Sequence, residues 1–264
     1  MVFQDSLISC YPSGNGDIET LKWCHTNACP WDEFTCIDAA ENGHVEVLQY
    51  LHENGCNWDY HVSNAAAENG HMEVVKYLHE NGCPWNVDVC IHAAYGGYFK
   101  VLKYLHENGC PWNKNACAGA ADNGHLEMLK YLHENGCPWD ADTCASAARG
   151  GHLDILKYLH ENGCPWDYNS CRNAASNGHL EVLKYLHENG CVWGRYGSCY
   201  AAASNGHSST LQYLHENGCP WDYGSCCAAD KNGNFEVLKY LQSICRMSTR
   251  KWTFLECKRM CYSS

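Results

Sequence analysis

Positive charge is scarce in this chain, with 18 lysines and arginines against 30 aspartates and glutamates and a formal net charge of −12. A surface of that sign repels phosphate, which argues against non-specific binding of nucleic acid or anionic membrane. There is no Asn-X-Ser/Thr sequon. Met1 to Cys10 has Asp5, no basic start and no long apolar run, so it does not read as a signal peptide. Nothing approaches the roughly 18 apolar residues that mark a membrane span. No segment alternates strictly between apolar and polar residues, as a half-buried strand would. No Gly-rich phosphate loop is present, since the Asn-Gly steps only punctuate the chain.

A strict period is present. One glycine falls at Gly16, Gly43, Gly70, Gly97, Gly124, Gly151 and Gly178, always 27 residues apart, and then at Gly206 and Gly233 after one interval of 28. A fixed period of about 20 to 50 residues marks a stacked repeat architecture, in which neighbours bury the face that no unit can bury alone. The 264 residues are 45% hydrophobic, ample for a core. Residues that recur in every unit therefore build the scaffold, and any specific function belongs to those that do not.

In the unit from His152 to Gly178, apolar residues at 153, 155, 156, 158 and 159 have helical spacing. This predicts a long helix over 152–162. Gly163 ends it, and Pro165 within Cys164-Pro165-Trp166 cannot continue it. A shorter helix is expected from about Ser170 to Ser176, with Asn169 or Ser170 as its N-cap. Ala174 and Ala175 are small enough for a neighbouring helix to come close. The expected fold is an all-α solenoid of about nine 27-residue helix-turn-helix repeats.

His179-Leu-Glu-Val-Leu-Lys-Tyr-Leu-His-Glu-Asn-Gly190, preceded by Ala174-Ala175 and Asn177-Gly178, resembles the ankyrin repeat. The resemblance spans roughly Ser9 to Leu241. The unit is shorter than the family's usual 33 residues, and its hairpin finger is reduced to Trp-Asp-X-X. It looks like the short Cys-Pro-Trp variant found in arrays of some protists, algae and giant viruses. The resemblance implies a non-enzymatic scaffold that binds a protein partner on its concave side. Some members with this variant carry an N-terminal F-box, for which residues 1–8 are too short.

Tryptophan recurs from Trp31 to Trp221 and reads as an apolar spacer between stacked units. Its removal is expected to cost about 3–5 kcal/mol, as a core truncation does. Histidine and cysteine recur as His-X-X-X-Cys, for example His160/Cys164 and His187/Cys191. Zinc takes such ligands, but this spacing is no known finger, and the histidine near a helix end is expected to bond a carbonyl. No metal site and no cofactor is assigned. The 21 cysteines read mainly as buried, reduced thiols, so the expected location is the cytoplasm, a reducing intracellular compartment, with the nucleus left open. Candidate nucleophiles and bases recur in every unit, whereas an active site needs one unsymmetrical constellation.

Unit-to-unit variation concentrates after the tryptophan and on the outer side of the shorter helix. Six residues there are the candidate partner-binding set: Tyr168, Arg172, Arg195, Tyr196, Tyr200 and Tyr223. Tyrosine and arginine are enriched at binding hot spots. The single 28-residue interval is made by Gly194-Arg195-Tyr196-Gly197-Ser198, and insertions in a solenoid map to loops on one face. We take residues 1–241 as the repeat array, with 1–29 as a capping repeat, and 242–264 as a basic C-terminal cap or tail. In that tail Arg246, Arg250, Lys251, Lys258 and Arg259 face Glu256 alone. The chain is expected to be monomeric. An alternative reading is an adaptor whose basic tail docks nucleic acid or anionic membrane while the repeats bind protein.

Overall fold

The computed structural model describes residues 13–29, 31, 33–195 and 197–247; of residues 33, 223 and 245–247 it describes the backbone. Among the described residues there are seventeen helices and no strand, and the fold is an all-α helical solenoid. They fall into two compact units. The first takes in the described residues up to Ala120 together with Glu127–Pro138, and the second takes in Ala121–Leu126 and the described residues from Trp139 onward.

The first unit holds α1 (Ile18–Thr26), then the pairs α2 (Glu33–Glu41) with α3 (Val45–Glu53), α4 (Tyr60–Glu68) with α5 (Met72–Glu80), and α6 (Val87–Gly96) with α7 (Phe99–Glu107). Two helices, α8 (Lys114–Asp122) and α9 (Leu126–Glu134), carry residues of both units. The second unit holds the pairs α10 (Ala141–Gly150) with α11 (Leu153–Glu161), α12 (Tyr168–Ser176) with α13 (Leu180–Glu188), α14 (Gly197–Ser204) with α15 (Ser208–Glu216), and α16 (Tyr223–Lys231) with α17 (Phe235–Met247). The last helix thus runs six residues past Leu241.

Each pair contributes the same wedge of core. In α12, Cys171, Ala174 and Ala175 are fully buried, and in α13 Leu183 and Leu186 are fully buried beside Val182. Small residues on the first helix let α10, α12, α14 and α16 pack in a row, and α11, α13, α15 and α17 form the second row. Within the second unit the core is continuous because each pair covers the apolar face of the one before it.

The expected short helix is as long as its partner. Both α11 and α12 have nine residues. The N-cap of α12 is Asp167, not Asn169 or Ser170: its backbone is extended (φ −135°, ψ −174°) and its carboxylate accepts from the Asn169 N–H at 2.9 Å. The same device recurs at Asp59, Asn86 and Asp140. A carboxylate there satisfies an orphan donor and faces the positive end of the helix dipole.

The histidines that open the second helices make no bond to their own helix ends. They reach back to the preceding pair. His152 Nε2 lies 3.0 Å from the Asp122 carbonyl, His179 Nε2 2.9 Å from that of Arg149, and His207 Nε2 3.0 Å from that of Ser176. A carbonyl can only accept, so Nε2 carries the proton. These carbonyls end first helices and have no partner within them. Gly178 makes the contact possible. Its φ is +73°, and a Cβ there would lie 2.5 Å from His207 Nδ1.

Two expectations about aromatic and imidazole groups are corrected. The tryptophans are only partly buried. Trp58 stacks on the histidine at the end of the preceding second helix, His52, with ring centroids 3.9 Å apart and 3° between planes, whereas Trp221 meets His215 edge-on at 6.2 Å. The histidine in this position bonds a tyrosine hydroxyl of the next pair and not a carbonyl: His79 to Tyr104 at 2.9 Å, His187 to Tyr213 at 3.1 Å. The indole sits between a histidine and a tyrosine of neighbouring pairs, as Trp58 does between His52 and Tyr77, and so lies apart from the core of leucines and alanines.

Most recurring cysteines are buried thiols. Cys227, which lies outside the two recurring series, is disulfide-bonded. No helix among the described residues is long and apolar enough to cross a membrane.

Candidate partner-binding surface

Tyr168 is the first residue of α12, where the Asp167 cap fixes the direction of the chain. Its ring is 48% exposed. The ring lies against the inserted loop: a Cβ at Gly194 would meet Tyr168 Cδ2 at 2.8 Å, too close for any side chain. Arg172 follows one turn later, so it shares a helix face with Tyr168. Its Cδ would sit 3.6 Å from a Cβ at Gly197, an ordinary van der Waals contact. The two glycines of the insertion therefore seat the loop beside Tyr168 and Arg172, and Arg195 stands exposed between them.

Tyr200 sits on the adjacent helix α14 and is 47% exposed. It occupies the same register as Arg172, since each directly follows a buried cysteine, Cys171 or Cys199. Tyr168, Arg172 and Arg195 are thus brought together, with Tyr200 one helix along. Tyr196 lies outside the described residues, and Tyr223 is placed by backbone alone as the first residue of α16. The tail beyond residue 247 also lies outside the described residues.

Several cations of the same unit are ion-paired. Arg149 is bound by both carboxylate oxygens of Asp122, at 2.8 and 2.9 Å. Lys184 pairs with Glu181 at 2.8 Å and Lys239 with Glu236 at 2.7 Å, one turn away on the same helix. Arg172 and Arg195 have no ion-pair partner among the described residues. Both guanidiniums keep their full set of donors for a ligand.

Sequence reasoning missed Val192. It is 67% exposed and stands where other turns carry Pro165 or Pro220. The broken Cys-Pro-Trp triplet was the available signal. It adds an apolar side chain next to the insertion. Among the described residues no three His, Cys, Asp or Glu side chains gather as a metal ion would require.

Residues 36–223 match the family description "Ankyrin repeats (3 copies)" in five overlapping stretches: 36–116, 63–145, 89–170, 118–195 and 144–223. The chain belongs to the ankyrin repeat family. The fold of this ankyrin repeat chain is similar to that of the human ASB11 ankyrin repeat domain, seen in a crystal structure. The TM-score is 0.54 at 21% sequence identity, over 71% of this chain and 99% of the other. No curated protein matches the sequence. Ankyrin repeats are in general protein-interaction modules and typically have no catalytic activity.

Proposed function

We propose that this ankyrin repeat chain is a non-catalytic scaffold that binds a protein partner through the outer side of its first helices, the side that is concave in ankyrin solenoids. The contact residues assigned are Tyr168, Arg172, Arg195, Tyr196, Tyr200 and Tyr223. One observation carries the reading: two exposed guanidiniums that have no ion-pair partner among the described residues lie on the same face as two exposed tyrosines, on a chain whose net charge is −12. Arginine and tyrosine supply large contact area and directional donors at little ordering cost.

The test is capture of partners by the purified chain, beside a variant with Tyr168, Arg172, Arg195 and Tyr200 changed to alanine. The variant alters exposed side chains only, so its helical circular dichroism and unfolding midpoint should match the native chain. A partner held by the native chain and lost by the variant supports the surface. Equal capture by both rejects it. The repeat array 1–241, with 1–29 as its cap, is the body that would present this surface, and 242–264 is assigned as a basic cap or tail.

A further inference from the structure

Six repeats place one cysteine in the first helix and a second just after the second helix, twenty residues on. In the first unit Cys36 Sγ lies 2.9 Å from Cys56 Sγ, and in the second Cys171 Sγ lies 3.1 Å from Cys191 Sγ. Backbone bonds hold both ends: the Cys56 N–H donates to the Leu51 carbonyl and the Cys191 N–H to that of Leu186, each at 2.9 Å. Cys36 and Cys171 are fully buried, while Cys56 is 6% and Cys191 4% exposed. A disulfide bond is about 2.05 Å long, so a shift of about 1 Å closes either pair.

The sulfurs of the second pair are not equivalent. Cys171 donates to Cys191 Sγ, and Cys191 Sγ lies 3.2 Å from the Asp167 carbonyl. The bond to Cys191, together with burial, pushes the Cys171 thiol up; the same bond holds Cys191 below the ordinary thiol range. The more acidic thiol is thus the one nearer solvent, which is the order a reactive thiol and its resolving partner require. At Cys90, Cys117 and Cys199 the sulfur also lies 4.0, 4.0 and 3.8 Å from the partner cysteine's carbonyl oxygen, and there, as at Cys144, a thiol hydrogen bond to the partner cysteine shifts the pair's titration.

We infer that Cys36 with Cys56, and Cys171 with Cys191, are oxidative modification sites that close into disulfides within their own helix pairs. The oxidant is a peroxide. The Cys191 thiolate attacks one peroxide oxygen, giving a sulfenic acid and hydroxide, which takes up a proton to become water. The Cys171 sulfur then attacks the sulfenic sulfur, and its proton leaves with the departing hydroxyl as a second water. Two S–H bonds are lost, one S–S bond forms, and hydrogen peroxide accepts the two electrons. The bond ties the first helix of a pair to the turn that follows its second helix.

The chain contains its own control. In the next pair Ser63 takes the first cysteine's place, with its Oγ 3.1 Å from Cys83 Sγ. That pair keeps the packing and cannot close a disulfide. Cys36→Ser and Cys171→Ser therefore recreate an arrangement that the fold already uses.

The full chain is treated with hydrogen peroxide while folded. Remaining thiols are alkylated in denaturant, and non-reduced digests are read by mass spectrometry. Expected are linked peptides joining Cys36 to Cys56 and Cys171 to Cys191, with Cys83 joined to nothing. Cys36→Ser removes the first link alone and Cys171→Ser the second alone. The oxidised native chain also unfolds at a higher temperature than the reduced one, and thiol reductant abolishes the difference. The inference is overturned if neither link forms in the folded chain, or if Cys56 and Cys191 join other cysteines as readily as their facing partners.

Discussion

His160 Nδ1 lies 3.0 Å from the Tyr185 hydroxyl, and the two residues belong to successive second helices, α11 and α13. Trp166 completes the set, with its ring centroid 4.1 Å from that of His160 and 6.3 Å, edge-on, from that of Tyr185. Two neighbouring pairs are thereby joined along an edge that solvent reaches, apart from the leucine core. Adjacent pairs are thus held twice, by apolar burial inside and by a ring and hydroxyl contact outside.

Truncating the outer seam should therefore cost less than truncating the core. Trp166→Ala is expected to lose about 1–2 kcal/mol, the scale of aromatic contacts plus partial burial. Leu159→Ala, at a fully buried site, should lose about 2–5 kcal/mol. Urea unfolding of the two variants checks the order. A larger loss at Trp166 would mean that the indole is a core residue after all.

His207 offers a sharper comparison. The chain already carries asparagine at this position in Asn234, whose Nδ2 donates to the Ser204 carbonyl at 2.8 Å. His207→Asn should keep the bond to the Ser176 carbonyl and most of the stability. His207→Ala should lose about 1–3 kcal/mol, because a part-buried carbonyl is left without its donor. Equal losses in both variants would show that the imidazole ring acts by packing and not by its Nε2–H.

The outer seam also sets a response to alkali. Burial, and then the Glu161 carboxylate, push the Tyr185 phenol above its ordinary value of 10.0, and burial and Glu188 do the same at Tyr213. Their neutral forms are favoured in the folded chain. Stability from this source is complete below pH 10.0 and falls as pH rises from there through the folded value, since only the unfolded chain has ionised freely. Unfolding midpoints measured across that range should decline, with tyrosinate absorbance rising late. Tyr185→Phe should flatten part of the decline.

Gly194→Ala tests the proposed surface without touching its charged residues. The new methyl would meet the Tyr168 ring at 2.8 Å, so the ring or the loop must move. Partner capture should weaken, while the unfolding midpoint changes by less than about 1 kcal/mol equivalent, because the site is on the surface. Unchanged capture would place Tyr168 outside the contact.

The helix pairs were legible because Leu153, Ile155, Leu156 and Leu159 repeat at helical spacing and Gly163 stops the run. The cap of α12 was not. Asp167, Asn169 and Ser170 are all good N-caps, and only the extended backbone at Asp167 decides among them. The tryptophans were misjudged because a period cannot tell a residue buried in a core from one clasped between a histidine and a tyrosine on the surface. Of the candidate site, the arginines and tyrosines could be picked out as departures from the repeat. That Gly194 and Gly197 seat the insertion against Tyr168 and Arg172 depends on a loop conformation that no periodicity encodes.

The histidine clasp also gives the array a direction in time. His179 completes the end of α10, and His207 completes the end of α12, each from a segment synthesised later. A chain leaving the ribosome therefore always carries one unfinished pair at its growing end, its last first-helix carbonyl awaiting an imidazole not yet made.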